Sequence, residues 1–140
     1  MSFLTFVLLL STLAGSYGQS AISANVSPQP GSTVLQLTFI SVIFNEGVGG
    51  VDASDLLVNG TAVASVTTNN PNDYTFSFPQ PPTGAVQVAW AAGHSITNGA
   101  GTAFAGGSWS YTLDPSSAPK PNVVISEFLA DNGHGVQDED

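Results

Sequence analysis

Leu56-Leu57-Val58-Asn59-Gly60-Thr61-Ala62-Val63-Ala64-Ser65-Val66 sets two β-type runs, Leu56–Val58 and Ala62–Val66, on either side of an Asn-Gly pair. A type I′ turn needs positive φ at both central residues, which Asn and Gly supply most readily, so the stretch predicts a tight β-hairpin. Immediately upstream, Asp52-Ala53-Ser54-Asp55-Leu56 has the form of a single helical turn, with Asp52 placed to cap it by accepting a backbone N–H bond. Before that, across Gly47-Val48-Gly49-Gly50-Val51, lies Thr38 to Asn45, which carries Ile40, Val42 and Phe44 on one parity and Phe39, Ser41 and Ile43 on the other. A strand covered on both faces loses its clean alternation, so this segment predicts a central strand buried on both sides. Its β-branched and aromatic content, and its shortness between turn signals, argue against a helix.

The same reading extends to both flanks. Ile22, Ala24 and Val26 alternate with polar residues as far as Ser27-Pro28-Gln29-Pro30-Gly31-Ser32, which predicts a short first strand and a corner. Asn69-Asn70-Pro71-Asn72-Asp73 reads as a loop, Tyr74-Thr75-Phe76-Ser77-Phe78 as a strand with its aromatics on one face, and Pro79-Gln80-Pro81-Pro82-Thr83-Gly84 as its end. Val86, Val88 and Trp90 alternate, as do Trp109, Tyr111 and Leu113 beyond a glycine-rich loop from Gly99 to Gly107. About seven short strands, with turn signals every 8 to 15 residues or so, describe an all-β sandwich over residues 21–114.

Composition bounds the function. The 140 residues leave room for one ordinary domain of about 100–150 residues. Ten carboxylates face a single cation, Lys120, for a formal charge of −9. Phosphate neutralisation needs a basic patch, so nucleic acids and anionic membrane surfaces are excluded as partners. Only 8% of residues are charged and 42% are hydrophobic, with eight Phe, three Tyr and two Trp to build a core, so the body of the chain folds. There is no cysteine, which excludes both a lipoprotein anchor and a disulfide-stapled domain. The apolar core must hold the fold.

Residues 1–18 read as a secretory signal peptide, with Phe3 to Leu10 as the apolar stretch and small residues at Ala14, Gly15, Ser16 and Gly18. Its n-region lacks Lys or Arg, and cleavage after Gly18 fits the small residues Ser16 and Gly18. A membrane anchor is the competing reading, but the apolar run is near ten residues, short of the ~20 that span a bilayer. Secretion, or display at the cell surface, is therefore the expected destination. At the other end, residues 115–121, Pro115-Ser116-Ser117-Ala118-Pro119-Lys120-Pro121, have the composition of a semi-rigid linker. Residues 122–140 then read as the opening of a second domain that this chain does not complete.

With those residues in view, Val26 to Leu113 resembles the immunoglobulin-like modules of bacterial surface and exported proteins, the group that includes S-layer-type Ig-like domains. The resemblance rests on Ser27-Pro28-Gln29-Pro30-Gly31-Ser32, the strand Ile40-Ser41-Val42-Ile43-Phe44-Asn45-Glu46-Gly47-Val48, Asp52-Ala53-Ser54-Asp55-Leu56-Leu57-Val58-Asn59-Gly60 and Trp109-Ser110-Tyr111-Thr112-Leu113. It implies a fold and no catalytic residues. Antibody-type domains pair a core disulfide with a tryptophan, and this chain departs from that pattern. Val124-Ile125-Ser126-Glu127-Phe128-Leu129-Ala130-Asp131-Asn132-Gly133, continuing to Asp138-Glu139-Asp140, resembles the opening of a bacterial lamin-tail-like domain, itself an Ig-type sandwich. That family continues with further strands, beginning with an Asp-Trp-Ile-Glu-like stretch that is absent here. A lone strand of this kind either stays disordered or adds to the edge of the first sandwich.

Few residues point to chemistry. His94 with Ser95 or Ser108 and Asp114 names the parts of a hydrolytic triad, against the plainer reading of His94 as a loop or strand-end residue. No Gly-x-Ser-x-Gly elbow occurs, and His134 lies in the glycine-bounded tail. Two distant histidines and no cysteine do not make a zinc site. Calcium takes oxygen ligands, so Asp131, Asn132, Asp138, Glu139 and Asp140 form one candidate cluster and Glu46, Asp52 and Asp55 a weaker one, against solvated turns and helix capping. Asn25-Val26-Ser27 and Asn59-Gly60-Thr61 match the N-glycosylation pattern, which matters only in a eukaryotic secretory pathway. Tyr74, Phe76 and Phe78 line either a carbohydrate-binding face or, with Trp90 and Trp109, the core; the core is the reading we adopt.

The expectation is thus an exported, non-catalytic Ig-like module, a spacer or interaction domain of a larger secreted or cell-surface protein. It has no assigned catalytic, cofactor or metal residues, and calcium is the one cofactor left in play. Its partners are proteins or glycans at the cell exterior, with no membrane insertion once the signal is removed. A carbohydrate- or calcium-dependent adhesion module, or the accessory domain of an extracellular enzyme, are the alternatives.

Overall fold

A computed structural model describes residues 20–117; residues 1–19 and 118–140, on which the expected signal peptide, the end of the linker and the expected terminal strand fall, lie outside the described residues. In chain order the strands are β1 (Ala24–Ser27), β2 (Thr33–Val34), β3 (Phe39–Phe44), β4 (Val48–Gly49), β5 (Leu56–Val58), β6 (Thr61–Ala62), β7 (Ser65–Asn70), β8 (Asp73–Ser77), β9 (Gly84–Trp90), β10 (Thr97–Asn98) and β11 (Ser108–Leu113). One sheet has the order β1-β3-β8-β7, the other β2-β11-β9-β5-β6, and β10 and β4 form a small ribbon. Every pairing is antiparallel except that of β2 with β11. Seven strands have three or more residues. Lettered A to G in chain order, they divide into A-B-E-D and G-F-C, the partition of an immunoglobulin-type sandwich. The all-β, Ig-like sandwich of about seven strands is the observed fold.

Alternation builds the core. Ile40, Val42 and Phe44 of β3, Tyr74 and Phe76 of β8, Val86, Val88 and Trp90 of β9, and Tyr111 and Leu113 of β11 all point between the sheets and are buried. Fully burying such a side chain contributes about 1.5–3 kcal/mol, and without disulfides this burial is the main source of stability.

The Asn-Gly hairpin forms as expected. Asn59 has φ 50° and Gly60 φ 79°, and β5 pairs with β6 around them. The second run is not one strand, however. β6 ends at Ala62, after which the Val63 N–H donates to the Leu56 carbonyl in one sheet and the Ala64 N–H to the Ser77 carbonyl in the other. Two successive residues thus carry the chain from sheet to sheet, with the Val63 side chain buried at the crossing.

Two further expectations are corrected. β3 is central within its sheet, between β1 and β8, but only one face is covered: Phe39 is 55% and Ile43 47% exposed. A two-layer sandwich has nothing outside its sheets, so the second apolar parity of β3 faces solvent. The loop at 69–73 shrinks to a turn at Pro71 and Asn72, because Asn69 and Asn70 belong to β7. That strand is polar and almost wholly exposed, and the Asn69 amide ties it to Asp73 and Thr75.

The first and last strands of the described residues begin and end at opposite ends of the sandwich. Ser23, Ala24, Trp90, Gly107 and Ser108 border one hollow, so β1 and β11 both start at the Trp90 end. β11 then runs to Leu113, where β2 lies parallel to it. The chain enters at the Trp90 end and leaves at the Leu113 end.

Candidate functional site

Trp90, the last residue of β9, is the hub of an aromatic cluster. Its ring lies 6.1 Å from Phe44, 5.6 Å from Phe76, 6.2 Å from His94, 5.2 Å from Phe104 and 6.4 Å from Trp109, measured between centroids. The contacts to Phe76, His94 and Phe104 are edge-to-face and those to Phe44 and Trp109 tilted; aromatic pairs contribute about 0.5–1.5 kcal/mol each beyond burial. A turn closed by the His94 N–H on the Ala91 carbonyl brings the imidazole back over Trp90 and to 5.7 Å from Phe104. Gly106 is required opposite it. Its φ is 76°, and a Cβ there would stand 3.1 Å from His94 Nε2 and 3.3 Å from Trp90 Cβ.

Two buried nitrogens in this cluster, His94 Nδ1 and Trp109 Nε1, have no hydrogen-bond partner among the described residues. The Trp109 indole does approach Tyr111 closely enough to oppose the rise that burial imposes on the Tyr111 pKa, without reaching hydrogen-bond geometry. The Tyr111 hydroxyl itself donates to the Pro28 carbonyl at 2.6 Å. Tyr74, whose hydroxyl donates to the Val48 carbonyl at 2.7 Å, is likewise pushed up by burial.

Beside the cluster a cleft of about 400 Å³ opens between β1 and the first residues of β11. Trp90 and Phe104 form its floor, Ala24 and Val26 one wall, and Gly107 and Trp109 the other; no charged residue lines it. A smaller hollow of about 260 Å³ sits at the hairpin, among Val58, Phe78, Pro79, Pro81 and Pro82. Its one amide, Asn59, is engaged, accepting the Gln87 N–H at 2.8 Å.

The residues named from sequence disperse. The Ser95 hydroxyl donates to the Gly50 carbonyl, and Asp114 accepts both the hydroxyl and the N–H of Ser116, at 2.6 and 2.9 Å. Those two bonds hold the Asp114 carboxyl below its usual value, the hydroxyl contributing most. Ser108 and Asp114 flank β11 at its opposite ends, about 20 Å apart by strand rise. No triad forms around His94, which packs as a loop residue against aromatic rings.

Glu46, Asp52 and Asp55 do not converge: no group of three or more His, Cys, Asp or Glu comes together among the described residues. Asp55 is buried, and its carboxylate accepts the Asp52 N–H at 2.7 Å across the 3-10 turn Ala53–Asp55. Asn25 is exposed on β1, while Asn59 serves its turn. Tyr74, Phe76 and Phe78 are buried and build the core, leaving no aromatic platform on that strand. The second calcium cluster, Asp131 to Asp140, and His134 lie outside the described residues. The cleft itself went unread, because Phe104 sits in a glycine-rich loop without period and its wall joins strands remote in sequence.

No family model matches this chain, and neither does any curated protein. Among solved structures it is similar to the crystal structure of CopC from Methylosinus trichosporium OB3b. The identity is 17%, the match covers 71% of this chain and 98% of that one, and the TM-score is 0.48.

Proposed function

We propose that the chain is an exported, non-catalytic Ig-like module that acts as a spacer or interaction domain at the front of a larger secreted or cell-surface bacterial protein. The observation that carries this reading is the opposed placement of the first and last strands: the sandwich is entered at Trp90 and left at Leu113. A domain threaded end to end adds its full length between whatever precedes and follows it. The proline-rich residues 115–121 then keep the following lamin-tail-like segment clear of the sandwich.

Three further observations support it. The signal-like residues 1–18 argue for export, and no helix among the described residues is long and apolar enough to cross a membrane. The described polar side chains serve turns and strand edges, as Asn45, Asn59, Asn98 and Asp114 do. None of them converges on the cleft.

The test is ligand screening of the secreted protein, residues 19–140, against a glycan array, together with melting in calcium and in chelator. A spacer binds no glycan saturably and melts at the same temperature in both solutions. Saturable glycan binding, or a melting temperature that falls in chelator, would replace this reading with the adhesion module.

A further inference from the structure

We propose that β7 pairs with β7 of a second copy of this chain, antiparallel and centred on Thr67, so that the two β1-β3-β8-β7 sheets join into one.

β7 ends its sheet, so one side of the strand is open among the described residues. The direction of its backbone groups follows from β8. In an antiparallel ladder, successive residues bond alternately to one neighbour and to the other. The Phe78 N–H donates to the Thr38 carbonyl and the Asn72 carbonyl accepts the Phe44 N–H, so the even-numbered residues of β8 bond toward β3. Asp73, Thr75 and Ser77 therefore bond toward β7, as the Ser77 carbonyl does in accepting the Ala64 N–H. Ser65 and Thr67, opposite Ser77 and Thr75, spend their bonds on β8. The N–H and C=O groups of Val66 and Thr68 are left facing the open edge.

An edge of this kind is a template for another strand, and natural edges are blunted by shortness, by Lys or by Pro. β2 and β6, at the edges of the other sheet, have two residues each, and β1 has four and runs into Pro28. β7 has six residues, Ser65-Val66-Thr67-Thr68-Asn69-Asn70, with no Lys, no Pro and no charge. Its register shift falls between Thr68 and Asn70, past the groups that face outward.

That the occupant is a second copy follows from how the strand matches itself. Aligned antiparallel about Thr67, Val66 lies opposite Thr68 of the second copy, and each donates its N–H to the other's carbonyl. The two-fold axis repeats the exchange, so every outward group finds a partner. Ser27, Ser41, Thr75 and Thr67 stand in register across the four strands, a row of hydroxyls on the outer face. The axis sets Thr67 against Thr67 of the second copy and continues that row, and Thr-Thr is a favourable cross-strand pair.

Charge selects the same place. The described residues carry Glu46, Asp52, Asp55, Asp73 and Asp114 and no Lys or Arg, so two copies repel over much of their surface. Along β7 no carboxylate meets another, and the Asn69 amide donates to the neighbouring Asp73 carboxylate. A single strand edge buries less than the ~1,200 Å² of a stable interface, so the pairing is weak and depends on concentration. It sets the Trp90 end of one sandwich beside the Leu113 end of the other, which suits chains extending from opposite sides. The contact gives the interaction-domain reading a specific partner, while its test stands apart from that of the spacer.

The experiment is sedimentation velocity at low salt over a concentration series of residues 19–140, as wild type, Thr67→Lys, Thr67→Asp, an equimolar mixture of those two, and Thr112→Lys. Thr67 and Thr112 are both exposed, on different sheets, so these changes leave the core intact, as equal melting temperatures would verify. Wild type should dimerise reversibly. Thr67→Lys and Thr67→Asp each set like charges face to face and should weaken association about fivefold or more. The mixture should associate at least as well as wild type, because Lys then faces Asp. Thr112→Lys, which changes net charge as Thr67→Lys does, should not weaken it. A monomer at every concentration up to about 1 mM would overturn the pairing and leave the spacer reading standing. A dimer indifferent to both Thr67 variants, or a mixture no better than either alone, would overturn it as well.

Discussion

The Tyr111 hydroxyl donates to the Pro28 carbonyl at 2.6 Å across 83 residues of sequence. Pro28 lies in the connector by which the chain leaves β1 in one sheet and reaches β2 in the other. The bond therefore pins the crossing to β11, and three backbone bonds continue it: Gly31 N–H to the Ser110 carbonyl at 2.8 Å, Thr112 N–H to Ser32 at 3.0 Å, and Asp114 N–H to Val34 at 2.9 Å. The Ser27-Pro28-Gln29-Pro30-Gly31-Ser32 corner thus closes one side of the sandwich.

Tyr111→Phe keeps the ring and removes the bond, leaving the Pro28 carbonyl without its donor, and should cost about 1–2 kcal/mol in urea unfolding at pH 7. The pH dependence has a definite sign. Burial raises the Tyr111 pKa above 10.0 and does the same to Tyr74. A group whose folded value is raised stabilises fully below its unfolded value, and the contribution is lost as pH rises from 10.0 through the folded value. Wild-type stability should fall steeply above pH 10, and that of Tyr111→Phe less steeply. An unchanged slope would remove Tyr111 as its origin.

The hairpin offers a backbone test. Gly60 has φ 79°, where a side chain is strained, so Gly60→Ala should destabilise by about 1 kcal/mol. Asn59 tolerates its φ of 50°, and it also accepts the Gln87 N–H and donates its own N–H to the Gln87 carbonyl, tying the turn to β9. Asn59→Ala should therefore cost more than Asn59→Asp in the same denaturation series, because alanine strands the Gln87 N–H and aspartate does not. Equal losses would mean that the side-chain bond contributes nothing.

What was legible in the sequence was local. Alternation at Ile40, Val42 and Phe44, or at Val86, Val88 and Trp90, is written in consecutive residues, and so is the Asn-Gly turn. What was not legible depends on which layer covers a face. Phe39 and Ile43 read as buried because apolar residues on both parities normally signal two covers, and only the two-layer architecture leaves one face bare. β7 was missed because Thr67, Thr68, Asn69 and Asn70 give no apolar period; β8 makes it a strand by pairing. The cleft lies between β1 and β11, which are far apart in the chain, so no window of sequence contains it.

That contrast can be measured on β3 and β8. Phe39→Thr and Ile43→Thr change an exposed face and should each stay within about 0.5 kcal/mol of wild type. Phe76, fully buried between the sheets, should lose about 3–5 kcal/mol as Phe76→Ala. A large loss at Phe39 would mean that its face is covered in solution.

Asp114 sets the acid side. Its carboxyl lies below its ordinary 3.8, chiefly through the Ser116 hydroxyl and then the Ser116 N–H. A depressed folded value stabilises above the unfolded value and is lost as pH falls through the folded one. Ser116→Ala removes the larger of the two bonds. It should be less stable than wild type at pH 6, with the gap closing as pH drops below 3.8, read by urea unfolding at several pH values. A gap that stays constant with pH would assign the loss to something other than the carboxylate.

The opposed ends of the first and last strands make a mechanical prediction. Tension applied at the two ends runs along the strands, while the bonds joining β2 and its connector to β11 lie across that direction, so they are loaded together in shear. Tyr111→Phe weakens this junction, whereas Gly60→Ala acts at the hairpin, away from it. With the two variants destabilised by similar amounts at equilibrium, single-molecule pulling should show a lower rupture force for Tyr111→Phe and a near wild-type force for Gly60→Ala. If both fall equally, force follows global stability, and the β2–β11 junction is not what bears the load.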